Sequence, residues 1–159
     1  MKTGFYAGSF DPFTVGHLHI VKIASRIFDK VIVGIGVNPK KTRRFDNLKM
    51  KEAIEKLLEF ENMNNIDVVI FDGLTADVAI EYGADFLIRG VRNGIDYDFE
   101  ENLALINEEI AGIDTIYIRA GEYGAISSSM VFELQSRNKD VSKYIPKFII
   151  DVVNDNWFN

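Results

Sequence analysis

The sequence lacks cysteine, long apolar runs and an excess of positive charge, and each absence excludes a class of protein. Without cysteine the chain can form neither a disulfide framework nor a cysteine zinc site, and it has no thiol chemistry. Its longest run of apolar residues and glycine, 31–37, has seven residues, whereas a membrane-spanning helix needs about 20. Polar and turn-forming residues interrupt the N-terminus where a secretory signal would be apolar. We therefore expect a cytoplasmic protein with no membrane segment.

The charged residues limit the possible partners. Eighteen Lys and Arg against 24 Asp and Glu give a net charge of −6, which disfavours binding to nucleic acid or an anionic membrane. Positive charge is nevertheless clustered, which on an acidic protein favours a small anionic ligand; a solvated basic loop and surface ion pairs are the alternatives. The clusters are Lys40, Lys41, Arg43 and Arg44, and Arg89 with Arg92.

Short apolar segments alternate with helix-period stretches along the chain. The predicted strands are 3–7, 30–37, 67–71, 86–88 and 115–118. Three apolar stripes at helical spacing accompany them: Met50, Ala53, Ile54, Leu57 and Leu58, with Asp46 or Asn47 as N-cap; Phe99, Leu103, Ile106 and Ile110; and Ile145, Phe148, Ile149, Val152 and Val153, with Pro146 in the first turn. This order predicts one α/β domain over residues 1–159, a doubly wound, Rossmann-like five-stranded parallel sheet with helices on both faces. Such sheets bind ligands beyond the carboxyl ends of their strands.

The first strand–helix junction carries the strongest candidate site. Gly8 lets a ligand approach the backbone, Ser9 offers a hydroxyl and an amide, and Asp11–Pro12 predicts a turn. His17 stands at the start of a helix, where free amides and the helix dipole favour a phosphate; a capping or surface imidazole is the alternative. A metal site shared by His17 and His19 is excluded, because residues two apart on a helix point about 200° apart.

Common nucleotide-binding motifs are absent from the sequence. The first strand is followed by G-S-F-D-P instead of G-x-G-x-x-G, and Gly34 and Gly36 lie within the second strand. There is no G-x-x-x-x-G-K-[ST] loop either. Binding of NAD and a Walker-type site are therefore disfavoured.

Three more stretches follow the first junction in an order and spacing typical of a known family. Residues 8–17 read G-S-F-D-P-F-T-V-G-H, Asn38-Pro39-Lys40-Lys41 follows the second strand, and Ile88–Arg92, continuing through Asp96 to Glu100, follows the fourth. Ile126–Ser129 follows the fifth strand and starts a helix. Together they resemble bacterial phosphopantetheine adenylyltransferases, whose signature is [T/S]-F-D-P-x-T-x-G-H, within the H-x-G-H nucleotidyltransferase superfamily. Thr14 stands where the H-x-G-H element begins.

This resemblance implies two sets of binding residues. ATP would be bound by Ser9, Phe10, His17, Gly90, Val91, Arg92, Glu100, Tyr123, Gly124, Ala125, Ile126, Ser127, Ser128 and Ser129. Phosphopantetheine would be bound by Ser9, Lys41, Thr75 and Arg89. On local sequence alone, Ser127–Ser129 is also consistent with a plain helix N-cap, and Asp11 is interpreted only as a turn former.

The resemblance also implies a reaction. The adenylyl group of ATP would pass reversibly to 4′-phosphopantetheine by direct in-line attack, giving dephospho-coenzyme A and pyrophosphate without a covalent enzyme intermediate. His17 would stabilise the transition state, and Lys41 and Arg89 would neutralise the acceptor phosphate. Mg²⁺ is expected with ATP but without a dedicated carboxylate site, and the family implies a homohexamer.

Two classes of alternative remain open. One is a related enzyme, either a nicotinamide-mononucleotide adenylyltransferase or a glycerol-phosphate cytidylyltransferase. These generally carry His at the position of Thr14 and an I-S-S-T-x-x-R ending, where this chain reads I-S-S-S-M-V-F from Ile126. The other is a non-catalytic nucleotide sensor, which would bind ATP without needing His17 or an acceptor-side pair of Lys41 and Arg89.

Overall fold

A computed structural model describes residues 1–157, and its centre is a five-stranded parallel sheet. The strands are β1 (Thr3–Gly8), β2 (Lys30–Gly36), β3 (Ile66–Phe71), β4 (Phe86–Val91) and β5 (Asp114–Arg119), in the spatial order β3-β2-β1-β4-β5. The helices are α1 (Val15–Ile27), α2 (Asn47–Phe60), α3 (Thr75–Glu81), α4 (Gly94–Ala111), α5 (Ser128–Ser136) and α6 (Ile149–Trp157), with 3₁₀ turns at Gly121–Tyr123 and Ser142–Tyr144. The predicted fold class is confirmed. No helix of residues 1–157 combines the length and apolarity needed to span a bilayer.

The sheet is buried on both faces, which explains why its strands read as continuous apolar runs. Val31, Val33 and Ile35 belong to the apolar layer shared with α1, α2, α5 and α6. Phe5 and Ile32 belong to a smaller layer that includes residues of α3. The sequence stripe predicted for α2 is buried in the first layer, and Asp46 is the N-cap.

The strand order places a ligand crevice between β1 and β4. β1 pairs with β2 on one side and with β4 on the other, so the chain winds outward in opposite directions from this pair. Doubly wound sheets bind ligands where the strand order reverses. Residues that end β1 and β4 therefore flank the expected site.

One predicted apolar stripe is largely exposed in the structure, and the helix that carries another begins later than predicted although most of that stripe is buried. On α4, Phe99 is 62% exposed and Ile110 is 57% exposed, and the buried residue of this helix is Glu100, which pairs with Arg89. The last helix begins at Ile149 rather than near Pro146, because Phe148 has a left-handed φ of 72° that a helix does not continue through. The helix α3 was not predicted, since seven residues are too few for a clear periodic pattern.

Candidate active site

A cavity of about 270 Å³ opens at the carboxyl ends of β1 and β4. It is lined by Tyr6, Ala7, Gly8, Ser9, Phe10, Thr14, Gly16, His17, Ile20, Arg89, Gly90, Arg92, Asp96, Glu100, Ala120, Tyr123, Ile126, Ser127 and Ser128. We call it the central cavity. His17 and Arg89 share it although they come from opposite layers of the fold, α1 and the β4 end that faces α4.

The position of His17 is set by the first turn of α1. Thr14 is the N-cap, and its backbone N–H donates to Nδ1 of His17 over 2.9 Å. Since Nδ1 accepts that bond, the neutral ring carries its proton on Nε2. Burial, with the positive charges of Arg89 and Arg92, lowers the pKa of His17 to about 4. The imidazole is therefore a neutral N–H donor at neutral pH.

Phe10 forms an aromatic wall beside this imidazole. Its ring meets the ring of His17 edge-on, with centroids 4.9 Å apart, and is fully buried. The backbone of Phe10 is left-handed, with φ of 46°, an unfavourable conformation for a bulky residue that occurs often at functional sites. A Cβ on Gly8 would lie 3.0 Å from the Phe10 ring, closer than most Cβ contacts, so a larger residue there would require the ring to shift.

Arg89 is held by three hydrogen bonds at the end of β4. Its Nε and Nη2 donate to the two carboxylate oxygens of Glu100 over 2.7 and 2.9 Å, and Nη1 donates to the carbonyl of Ala7 over 2.9 Å. Burial alone would lower the pKa of Arg89, but the hydrogen bonds and charge of Glu100 raise it. A guanidinium has five N–H groups, so one on each terminal nitrogen is left for a ligand.

Arg89 also borders two further cavities. One, of about 260 Å³, lies between α3, α4 and the sheet; Leu74, Leu103, Ile106 and Ile110 give it an apolar lining, with Thr75 and Asn107 as polar groups. We call it the α3–α4 cavity. The other, of about 200 Å³, is lined by the ends of β1, β2 and β3, including Asn38 and Thr75. The guanidinium of Arg89 therefore lies where the three cavities meet.

Arg92 immediately precedes Asn93, the N-cap of α4. Its backbone N–H and its guanidinium both donate to the carboxylate of Asp96, over 3.0 and 3.3 Å, and Asn93 caps the helix. The alternative that Arg92 forms a surface ion pair thus describes one of its contacts. Because Arg92 also lines the central cavity, that pair does not remove its charge from the site.

The predicted serines of α5 serve the helix terminus. Ser127 is the N-cap, since its Oγ accepts the N–H of Met130 over 3.1 Å, and the Ser128 hydroxyl donates to the carbonyl of Pro12 over 2.7 Å. The N-cap interpretation is therefore confirmed for Ser127. The first amides of α5 remain without partners inside the helix, which makes them suitable for an anion.

Lys41 lies outside these cavity walls, in an exposed turn that follows β2. Its ammonium forms no salt bridge within residues 1–157. The basic cluster is more than a solvated loop, because the backbone N–H groups of Arg44 and Phe45 donate to the carboxylate of Asp11. The interpretation of Asp11 as a turn former only was therefore wrong.

The structure brings most of the predicted residues together. Lining the central cavity are Ser9, Phe10, His17, Arg89, Gly90, Arg92, Glu100, Tyr123, Ile126, Ser127 and Ser128. Thr75 borders the two other cavities with Arg89. Next to lining residues in the chain, but not in the lining, are Val91, Gly124, Ala125 and Ser129. Which of them bind ligand stays a prediction.

Sequence reasoning did not identify Tyr6, Ile20, Asp96 and Ala120 as site residues, although they line the central cavity. Tyr6 has a signal in the strand alternation, since it lies two positions before Gly8 on the same face of β1. Burial raises the pKa of Tyr6 far above its usual value, so its hydroxyl stays neutral. The other positions have no such signal.

The residues do not fit a resident metal ion. Within residues 1–157, no three His, Asp or Glu side chains are grouped as metal ligands. The carboxylates that line the central cavity, Asp96 and Glu100, are bound to Arg92 and Arg89. Mg²⁺ prefers several oxygen ligands and often arrives on substrate phosphates.

Comparisons with known proteins agree with this geometry. The sequence model of the cytidylyltransferase-like family matches residues 5–134. The chain is 40% identical to a phosphopantetheine adenylyltransferase of Lachnoclostridium phytofermentans, over 99% of this chain and 96% of that one. It is also 40% identical to the phosphopantetheine adenylyltransferase of Streptococcus suis, over 98% and 96%. A putative nicotinate-nucleotide adenylyltransferase from Vibrio parahaemolyticus has the same fold, with a TM-score of 0.66, 17% identity and coverage of 96% and 99%.

The doubly wound sheet, the cationic crevice at its switch point and the family match define a nucleotidyltransferase. The 40% identity to curated relatives, which extends over almost the whole chain, identifies the family within this class. The chain belongs to the phosphopantetheine adenylyltransferase family.

Proposed function

We propose that this chain transfers the adenylyl group of ATP to 4′-phosphopantetheine, releasing pyrophosphate and forming dephospho-coenzyme A. The names of the curated relatives support the substrates. The observation that carries the proposal is that Arg89 borders the central cavity, which also holds His17, and the neighbouring α3–α4 cavity. One guanidinium can therefore contact a phosphate at the junction of two ligand spaces.

The central cavity suits the triphosphate. The neutral Nε2–H of His17 can donate to the α-phosphoryl group, where charge develops in the transition state. The amides of the first turn of α5, apart from that of Met130, which donates to Ser127 Oγ, suit the departing phosphates. Arg92, which also lines this cavity, adds positive charge.

The α3–α4 cavity suits the acceptor. Phosphopantetheine is a phosphate on a long arm that carries amide groups, and this cavity combines an apolar lining with Asn107 and Thr75. With the arm there, its phosphate would reach Arg89, and Lys41 would supply a second positive charge. The small polar body of glycerol phosphate would leave this apolar lining unfilled.

The contacts of the hydroxyl groups support direct transfer. Ser127 Oγ caps α5, Ser128 donates to a carbonyl, and Nδ1 of His17 is already bound by Thr14. The hydroxyl next to the imidazole, Thr14 Oγ1 at 3.3 Å from Nδ1 of His17, is buried and caps α1 by accepting the His17 backbone N–H, so it is not presented to a ligand as a nucleophile. The acceptor phosphate is itself anionic, so proximity and charge stabilisation suffice for in-line attack.

Three further features belong to the proposal. Mg²⁺ enters bound to ATP as part of the substrate, neutralising charge on the phosphates, and no residue of the chain is assigned to it. The cytoplasm is the expected location because ATP is available there. The family resemblance implies a homohexamer, and the apolar side chains exposed on α4, including Phe99 at 62% and Leu105 at 55%, support association between chains.

The test is acceptor-dependent pyrophosphate release. The protein is incubated with Mg-ATP and, separately, 4′-phosphopantetheine, dephosphorylated pantetheine, nicotinamide mononucleotide and glycerol 3-phosphate; CTP replaces ATP in a parallel series. Release only with ATP and 4′-phosphopantetheine supports the proposal. Release with another acceptor favours a related enzyme, and ATP binding without release favours a nucleotide sensor.

A further inference from the structure

The basic loop after β2 is tied to the β1–α1 junction through one carboxylate. Asp11 Oδ2 accepts the backbone N–H of Arg44 over 2.8 Å, and Oδ1 accepts that of Phe45 over 2.9 Å. The Asp11 side chain is only 13% exposed. A carboxylate that accepts backbone N–H groups with both oxygens fixes the segment it binds.

Arg43 strengthens the same connection from the loop side. Its Nη2 lies 3.5 Å from Asp11 Oδ1, and its guanidinium donates to the carbonyls of Ser9 over 2.7 Å and Phe10 over 3.4 Å. Ser9 lines the central cavity. The loop is therefore connected to the backbone of a predicted acceptor-binding residue.

Lys41 lies between this connection and the end of β2. Its backbone N–H donates to the Asn38 carbonyl over 2.9 Å, and Val37 N–H donates to the Phe71 carbonyl over 2.9 Å, which fixes the loop at its start. Two residues of chain span at most about 7 Å. The backbone of Lys41 is therefore confined near the Asp11–Arg43 pair.

We propose that Asp11 is a positioning residue that holds Lys41 and Ser9 where both can bind the acceptor phosphate. The inference rests on the proposed function, because it assumes that Lys41 binds that phosphate. Asp11 does so without touching substrate, by binding the backbone N–H groups of Arg44 and Phe45, three and four residues beyond Lys41. Asparagine cannot replace it, since its amide offers one oxygen and would turn an NH₂ group toward a backbone N–H.

The first test is Asp11→Asn, measured by calorimetry with 4′-phosphopantetheine and separately with α,β-methylene-ATP. We expect the Kd for phosphopantetheine to rise about tenfold and that for the ATP analogue to change less than about twofold. Amide hydrogen exchange at Arg44 and Phe45 should accelerate. Asp85→Asn is the matched control, because it removes a carboxylate that accepts the Thr3 N–H over 2.9 Å at the other end of β1.

A double-mutant cycle separates positioning from general damage to the fold. If Asp11 acts through Lys41, Asp11→Asn should have little further effect on phosphopantetheine binding in a Lys41→Ala background. Arg43→Met, which breaks the connection without altering Asp11, covers the case in which Asp11→Asn does not fold. Additive effects, or equal weakening of both ligands, would overturn the inference. If the wild type does not bind phosphopantetheine, the proposed function fails, whereas the exchange data still report whether Asp11 orders the loop.

Discussion

The guanidinium of Arg89 and the carboxylate of Glu100 meet in a two-point ion pair, with Nε–Oε2 and Nη2–Oε1 distances of 2.7 and 2.9 Å. The Glu100 side chain is 7% exposed and that of Arg89 is 33% exposed. The resemblance implies that Glu100 binds the nucleotide, and the ion pair indicates a second role for it. It holds the planar guanidinium in one orientation at the meeting point of three cavities.

Glu100→Gln should weaken the binding of both substrates. Glu100 orients Arg89, and the orientation of Arg89 affects every cavity that it borders. The substitution should also destabilise the fold by about 2 kcal/mol, less than for a fully buried pair because Arg89 is partly exposed. For a chain of this length that lowers Tm by roughly 4–8 °C. Steady-state kinetics with each substrate varied, together with thermal unfolding, measure both effects.

The matched control is Glu133→Gln, which removes an exposed pair with Arg137 on α5. Such surface pairs contribute little to stability. Its kinetics and Tm should stay close to wild type. Unchanged substrate affinities in Glu100→Gln would contradict the orienting role.

His17→Ala should lower turnover by roughly 10²–10³, the usual loss for one preorganised transition-state donor. Affinity for ATP should change much less, because the donor acts mainly as charge develops. Rapid-quench measurement of the chemical step and calorimetry of ATP binding separate these quantities. The control is His19→Ala, an imidazole two residues away whose ring lies against Tyr123. Near-normal turnover in His17→Ala would remove this residue from the mechanism.

The protonation state of His17 provides a separate prediction. Its pKa of about 4 keeps the ring neutral through the physiological range, with the proton on Nε2. Nitrogen-correlated NMR of the imidazole should show an unprotonated Nδ1 and no titration between about pH 5.5 and 8. Protonation near the ordinary value, or a proton on Nδ1, would contradict the donor assignment.

The lowered pKa of His17 also makes the stability of the folded state depend on pH. Between the ordinary pKa of 6.5 and the folded value of about 4, the unfolded state binds more protons at this site. His17 therefore supports the fold fully above pH 6.5, and that contribution is lost as the pH falls toward 4. Denaturant titrations should show that His17→Gln loses less stability than wild type across this window.

The fold was predictable because its strands are apolar on both faces and alternate with helices. Those lining residues of the central cavity that belong to a sequence motif, such as Ser9 and His17, could be predicted. The role of Asp11 was not, because its partners lie more than 30 positions away in a loop without regular structure. Likewise, periodicity placed the apolar stripe of α4 on a helix but did not show that Phe99 faces solvent.

Lys41→Ala should weaken phosphopantetheine more than ATP. Lys41 is assigned to the acceptor phosphate, and the loss of one point charge from an exposed loop should raise the Kd several-fold to about tenfold. Equilibrium binding of each substrate alone gives the comparison. Lys40→Ala, in the same turn, should have a smaller effect. The reverse pattern, with ATP weakened more, would overturn the assignment of the loop.

Association through α4 is tested by placing a charge at one of its exposed apolar side chains. Leu105 is 55% exposed and does not line a cavity, so Leu105→Glu should leave the site intact while burying a charge in any α4-mediated interface. Light scattering coupled to gel filtration should then show a species smaller than the expected hexamer. Leu48→Glu on α2 is the control, since Leu48 is 62% exposed on a different helix. If Leu105→Glu keeps the wild-type mass, the contacts between chains lie elsewhere. If the wild type is itself monomeric, the proposed assembly fails, and the exposed apolar side chains of α4 have no role in association.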